Sequence, residues 1–296
     1  MRGAHLLAVQ DKGIELHVAG TVVRARVRAS ERPAELGRQD AVFVTLKGTG
    51  LAAFAAGAAP LLGPDTACVF VQNGVPWWYA SGLGTSRPVP PDLSRLDPGG
   101  ATAAAIGLAR VVGAVVYSSN DLVAPGVVHN HSPGRNMLVL GETDDRSSTR
   151  VDALRMALAA AEILSPATAD LRTAVWDKLL INFGSSLCVP IGEPIRGVLE
   201  DPALVAVRAR MIEEGRAIAA AHGVDAALAP ERPGGAQPSA HKPSMLQDYE
   251  LGRPMEVEAI LKAPLAFARA ASVATPTLDA LAAVVAHMAV TKGLYR

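Results

Sequence analysis

Two short apolar runs, 40–46 (DAVFVTL) and 66–71 (TACVFV), constrain this chain more than any other feature. Neither alternates with polar residues, so each reads as a strand covered on both faces. Between them residues 51–62 are alanine-rich and read as a helix, stopped by Gly63-Pro64. Strand, helix and strand in that order predict an α/β unit on a largely parallel sheet. Before them, 2–9 read as a loop and a short helix, and 14–18 and 21–27 alternate around Ala19-Gly20 as a hairpin. After them, 82–100 are rich in Pro, Gly and Ser and read as loop. Segments 111–117, 127–131 and 137–140 are β candidates expected to extend the sheet at its edge.

From residue 148 the period changes to that of helices. These are expected at 151–164, with Ser147, Ser148 or Thr149 as N-cap, then at 171–187, at 204–222 ended by Gly223, at 256–271 and at 278–290. The expected division is an α/β domain over 1–168 and an all-α domain over 169–296.

Composition narrows the function. Hydrophobic residues are 50% of the 296 and charged ones 19%, a globular balance. The 28 basic and 28 acidic residues cancel, and no basic stripe occurs, which argues against a nucleic-acid partner. The longest apolar stretch, 101–117, is broken by Arg110 and glycines and is shorter than the roughly 20 residues of a membrane span. The first residues do not form a signal peptide. Cys68 and Cys188 are far apart and in apolar runs, so they read as buried free thiols in a reducing cytoplasm.

The groups suited to chemistry are few. In 171–187, Lys178 and Asn182 are four apart and share a helix face, with Ser186 continuing the stripe. Trp176, Leu179, Leu180 and Ile181 surround them. Burial in such company would lower the pKa of Lys178 and suit it to proton transfer, while spacing alone also permits a solvent-facing Lys. Further on, Ser244 and Asp248 read as helix caps, and Glu256 suits the start of the next helix. Asn73-Gly74 and Lys47 each follow a buried strand, where open α/β sheets bind ligands, or where ordinary turns sit. His129 and His131 would share one strand face but lack a third ligand, so no metal site is expected. Trp77-Trp78 read either as packing under an active site or as capping the sheet.

Three motifs in order carry a resemblance. They are Gln72-Asn73-Gly74, then Trp176-Asp177-Lys178 with Asn182, then Ser244-Met245-Leu246-Gln247-Asp248 with Gly252-Arg253-Pro254 and Glu256. With Arg2-Gly3-Ala4-His5-Leu6 before them and Thr275-Pro276-Thr277 after, the chain resembles the ketopantoate reductase family over nearly its whole length. The resemblance implies a Rossmann-like dinucleotide-binding domain followed by an all-α domain, NADPH as cofactor and a small 2-oxo acid as substrate. It also implies a homodimer through the helical half, in the cytoplasm. It makes Lys178 the general acid and Glu256 the group that holds the substrate hydroxyl and orients Lys178. Asn182 and Ser244 would bind substrate, and Asn73 would sit between nicotinamide and substrate. Lys47 would lie near the cofactor, and Arg2 would meet the adenosine 2′-phosphate.

Two departures stand against the family pattern. Ser186 occupies a position where the family often has a further Asn. And no GxGxxG occurs in the chain; Gly48-Thr49-Gly50 lacks the third glycine. The first strand, glycine turn and helix are therefore absent, which makes the dinucleotide-binding domain incomplete and leaves neighbouring strands with an open edge or a gap. Met1 is read as an internal start, the natural protein extending upstream. The leading expectation is reduction of 2-dehydropantoate to pantoate in pantothenate and coenzyme A biosynthesis. The alternatives are a reductase of another 2-oxo acid, or a non-catalytic truncated relative without cofactor binding.

Overall fold

The computed structural model describes residues 2–228 and 242–296; Met1 lies outside them. They fall into two compact units. The first comprises residues up to Leu46, Gly50–Val71 and Gly100–Leu171. The second comprises Lys47–Thr49, Gln72–Gly99 and the described residues of Arg172–Arg296.

In the first unit, α1 (Gly3–Lys12) leads into a hairpin of β1 (Ile14–Val18) and β2 (Thr21–Ala25). Then come β3 (Ala41–Val44), α2 (Leu51–Gly57), β4 (Ala67–Val71), α3 (Ala101–Ile106) and β5 (Val111–Tyr117). The unit finishes with β6 (Asn120–Ala124), β7 (Val127–Asn130), β8 (Met137–Glu142) and α4 (Thr149–Ala160). The main sheet has order β3-β4-β5-β8, with β3, β4 and β5 parallel and β8 antiparallel to β5. That is the α/β arrangement expected. α4 covers one face, where Val151, Leu154 and Leu158 pack on Ala67, Val69, Val112, Ala114, Leu138 and Leu140. Each fully buried Val or Leu contributes about 1.5–3 kcal/mol. Ser148 is the N-cap of α4, its hydroxyl accepting from the Val151 N–H at 3.2 Å.

Two expectations need correction. β7 does not extend the main sheet: it pairs in parallel with β1 in a smaller sheet of order β2-β1-β7-β6. Every residue of β7 is half-buried, as suits a sheet with one covered face, whereas Leu138 to Gly141 of β8 are buried. β6, between β5 and β7 in the chain, carries no apolar alternation and is not expected from the sequence. Nor is β3 covered on both faces. It pairs with β4 alone among the described strands, and Phe43 is 42% exposed.

The second unit is helical: α5 (Leu171–Ser186, in this unit from Arg172), α6 (Cys188–Ile191), α7 (Ile195–Glu200), α8 (Pro202–Ala221), α9 (Ser244–Glu250), α10 (Ala263–Ala270) and α11 (Pro276–Thr291). The helix expected over 256–271 is interrupted by a π-helical turn, Glu258–Lys262. Pro264 has no N–H to give the helix ladder, and just before it the Ala263 N–H reaches back five residues to Glu258 O. Asp201 caps α8 through the Ala203 N–H at 2.8 Å. Where α5 and α8 meet, Gly215 leaves room for Phe183, whose ring a β-carbon there would approach to 2.7 Å.

The segment Gln72–Gly99 is tied into this unit by α5. Arg172 is fully buried and donates to Tyr79 O at 2.9 Å and Ser81 O at 2.6 Å, with its guanidinium over the Trp78 ring. Trp176 Nε1 donates to the Tyr79 hydroxyl at 2.8 Å. Phe267 of α10 meets Tyr79 and Trp176 edge-on. So Trp78 packs on Arg172 within the helical unit. No helix among the described residues is long and apolar enough to cross a membrane.

Candidate active site

α5 presents its stripe from a fixed frame, because Trp176, Leu179 and Leu180 on its other faces are fully buried. Lys178 is partly buried, and burial draws its pKa down from the usual Lys range to about 8. One turn on, Asn182 Nδ2 is enclosed and has no hydrogen-bond partner among the described residues. A buried amide left so costs free energy until a ligand accepts from it. Ser186 is fully buried, and its hydroxyl donates back to Asn182 O at 2.7 Å. That bond satisfies Ser186 within its own helix.

A second cluster forms where Lys47–Thr49, Gln72–Gly74 and the α9 region meet. The Glu256 carboxylate accepts from the Asn73 side chain and from the Gly48 N–H, with Lys47 and Asp248 as its charged neighbours. Burial is the largest influence and raises its pKa; Lys47, Asn73 and Gly48 pull it down and Asp248 pushes it up, leaving it at about 7. Lys47 Nζ also donates to Pro254 O at 3.0 Å. Arg253 Nε is 3.0 Å from Asp248 Oδ1.

Thus Lys47, Asn73 and Glu256 come together, and Lys178, Asn182 and Ser244 lie in the same unit. Ser244 is the exposed first residue of α9 and makes no side-chain cap; Pro243 stands at the N-cap. Asp248 is not a cap either but a buried acceptor of two cations. Arg2 belongs to the first unit, exposed at the N-terminus of α1. His129 stacks on His17 with ring centroids 4.5 Å apart, and His131 meets Asp121. Sequence reasoning missed Asp248 as an ion-pair partner. Its place in the Ser244–Asp248 motif was the available signal, but nothing local names its partners.

Chemically, the half-buried Lys178 ammonium at about 8 and the half-buried Glu256 carboxylate at about 7 are both suited to proton transfer near neutrality. The Asn182 amide, a donor without a partner among the described residues, adds a binding group.

The chain is similar to known proteins over nearly its whole length. A family model described as "Ketopantoate reductase PanE/ApbA" matches residues 1–144, and its C-terminal counterpart matches 170–289. A 2-dehydropantoate 2-reductase of Mesorhizobium japonicum is 38% identical over 298 residues, covering 99% of this chain and 90% of that protein. Among solved structures, a candidate ketopantoate reductase from Ralstonia solanacearum superposes with TM-score 0.84 at 33% identity, over 100% of this chain and 90% of that one. A 2-dehydropantoate 2-reductase from Geobacter metallireducens gives TM-score 0.77 at 26% identity, over 96% and 89%.

Proposed function

We propose, for a chain that belongs to the ketopantoate reductase family, NADPH-dependent reduction of 2-dehydropantoate to pantoate, the step that serves pantothenate and coenzyme A biosynthesis. The observation that carries this reading is the pair of opposed titrations in one unit, with Lys178 drawn down to about 8 and Glu256 pushed up to about 7.

The roles are assigned as follows. When bound, NADPH supplies the hydride that adds to the C2 carbonyl carbon. As that C–H bond forms, the carbonyl π electrons pass to oxygen. The Lys178 ammonium stabilises the growing negative charge and gives the oxygen its proton, an effect typically of about 10²- to 10⁴-fold. A pKa near 8 keeps Lys178 charged at neutral pH yet makes it a readier donor than an exposed Lys. Glu256 as carboxylate accepts from the substrate hydroxyl, oriented by Asn73 and Lys47. Asn182 Nδ2 and the Ser244 hydroxyl bind substrate. Asn73 and Lys47 form the edge that meets the reactive end of NADPH, and Arg2 takes the 2′-phosphate.

At that reactive end Lys47 Nζ is held by Asp248 and Pro254 O, and the Asn73 side chain is bonded to Glu256; the enclosed amide without a partner among the described residues, Asn182 Nδ2, is the one assigned to substrate. The backbone cradle for pyrophosphate, a GxGxxG turn, is not among the 296 residues.

A second reading keeps the chemistry and changes the acid. Ser186 spends its hydroxyl proton on Asn182 O, so it offers substrate no donor where the family often has an Asn. Activity on 2-dehydropantoate compared with smaller 2-oxo acids separates the two.

Titration with NADPH, followed by cofactor fluorescence, tests the core of the proposal. Binding, followed by oxidation of NADPH on adding 2-dehydropantoate, is the expected result. Absence of binding moves the assignment to a non-catalytic relative.

A further inference from the structure

Glu258 lies two residues past Glu256, at the start of the π-helical turn. Its carboxylate gathers the last residues of the chain. The Tyr295 hydroxyl donates to Oε2, and Arg95 Nε donates to the same oxygen at 2.9 Å. The Arg95 guanidinium also reaches the Tyr295 hydroxyl and Arg296 O, each at 3.4 Å. One residue before Glu256, the Met255 N–H donates to Leu294 O at 2.9 Å. The other side of the turn is held as closely. The Val75 N–H donates to Ala259 O at 2.8 Å, and Gly74 passes so near that a β-carbon would stand 2.5 Å from Ala259 C. Residues 255–259 are therefore clasped by the C-terminal tail on one side and by Asn73-Gly74-Val75 on the other. Glu256, the partner of Asn73, sits inside the clasp.

Arg95 is 65% exposed, so its ion pair with Glu258 adds little by itself. The Tyr295 bond is better sheltered. Glu258 is 21% exposed, and burial together with Glu258 raises the Tyr295 hydroxyl to about 12.

We propose that Tyr295 is a positioning residue for the reaction: its hydrogen bond to Glu258 fixes the turn that presents Glu256, in register with Asn73, to the substrate. The inference rests on the reading of Glu256 as the substrate-holding carboxylate. Glu256 itself is faced by Lys47, Asp248, the Asn73 side chain and the Gly48 N–H; Tyr295 acts on it through Glu258 and the backbone between.

The test reads Glu256 without substrate. Protein labelled with ¹³C at glutamate carboxyls is titrated, the Glu256 signal being assigned with Glu256→Gln, and pantoate binding is measured by calorimetry. Tyr295→Phe and Glu258→Ala loosen the turn and admit water. The Glu256 midpoint is expected to fall from about 7 toward the ordinary carboxylate range, by ~0.5 unit or more. Pantoate should bind about 3- to 10-fold more weakly, the scale of one lost hydrogen bond. Glu258→Gln keeps an acceptor for the hydroxyl and should rescue both readouts. An unchanged midpoint in Tyr295→Phe and Glu258→Ala, or a Glu258→Gln variant as impaired as Glu258→Ala, overturns the proposal. A shifted midpoint in a protein whose wild type ignores pantoate upholds the positioning of Glu256 and sinks the substrate assignment instead.

Discussion

Lys47 Nζ lies 2.6 Å from Asp248 Oδ2, and the carboxylate is 4% exposed while the ammonium is 35% exposed. Asp248 therefore depends on Lys47 and Arg253 for its charge balance, and Lys47 is held where it also acts on Glu256. In Asp248→Asn a buried negative neighbour of Glu256 disappears, so the Glu256 midpoint should fall. Stability should drop by ~1–2 kcal/mol in urea titrations, less than a fully buried pair would give because both cations reach solvent. A variant as stable as wild type, with an unmoved midpoint, would show that this ion pair is idle.

The two opposed pKa shifts set a narrow pH window for catalysis. Glu256 must be ionised to accept from the substrate and Lys178 protonated to donate, so kcat/KM should be bell-shaped with limbs near 7 and 8. Lys178→Ala should lose about 10²- to 10⁴-fold in kcat. Lys178→Arg should lose activity too, and its alkaline limb should vanish because a guanidinium does not deprotonate in that range. An alkaline limb retained in the Arg variant assigns it to another group.

Glu256 carries a stability consequence of definite sign. Its folded pKa is raised from 4.5 to about 7, so the folded state binds more protons than the unfolded state between those values. Stability from this group is full below pH 4.5 and is lost as pH rises through 7. Glu256→Gln removes that loss. The variant should melt higher than wild type at pH 8, gain little at pH 5, and bind substrate more weakly. Equal melting gains at both pH values would refute the linkage.

Gly74 has φ +79, and its missing β-carbon would stand 2.5 Å from Ala259 C and O. Gly74→Ala should cost ~2–4 kcal/mol from strain and overpacking together. Gly134, with φ +66 but nothing within 4 Å, makes the control; Gly134→Ala should cost only ~1 kcal/mol. Urea unfolding of the two side by side separates the crowding from the backbone strain.

How far the sequence revealed all this depends on range. The α5 stripe could be seen because helical spacing puts Lys178 and Asn182 on one face whatever the tertiary context. The N-cap Ser148 and the hairpin of β1 and β2 are equally local. What escaped is long-range. Lys47 and Pro254 are 207 positions apart, and no local pattern at either announces the other. The same holds for Arg95, Glu258 and Tyr295. β7 was misassigned because a half-polar strand fits a main-sheet edge or a second sheet equally well, and only pairing with β1 decides. The exposure of Phe43 likewise depends on a neighbour, not on the run of residues that contains it.

Cys68 and Cys188 are both free and buried, and burial lifts each thiol to about 11. The thiolate, the reactive form, is therefore scarce in the folded protein at neutral pH. Native protein should stay inert to thiol reagents for as long as it stays folded, and its slow labelling should count global openings. A cysteine introduced at the exposed Ser244 would then be the one fast-reacting thiol among the described residues, giving a dye or spin label a clean background at the edge of the proposed substrate site.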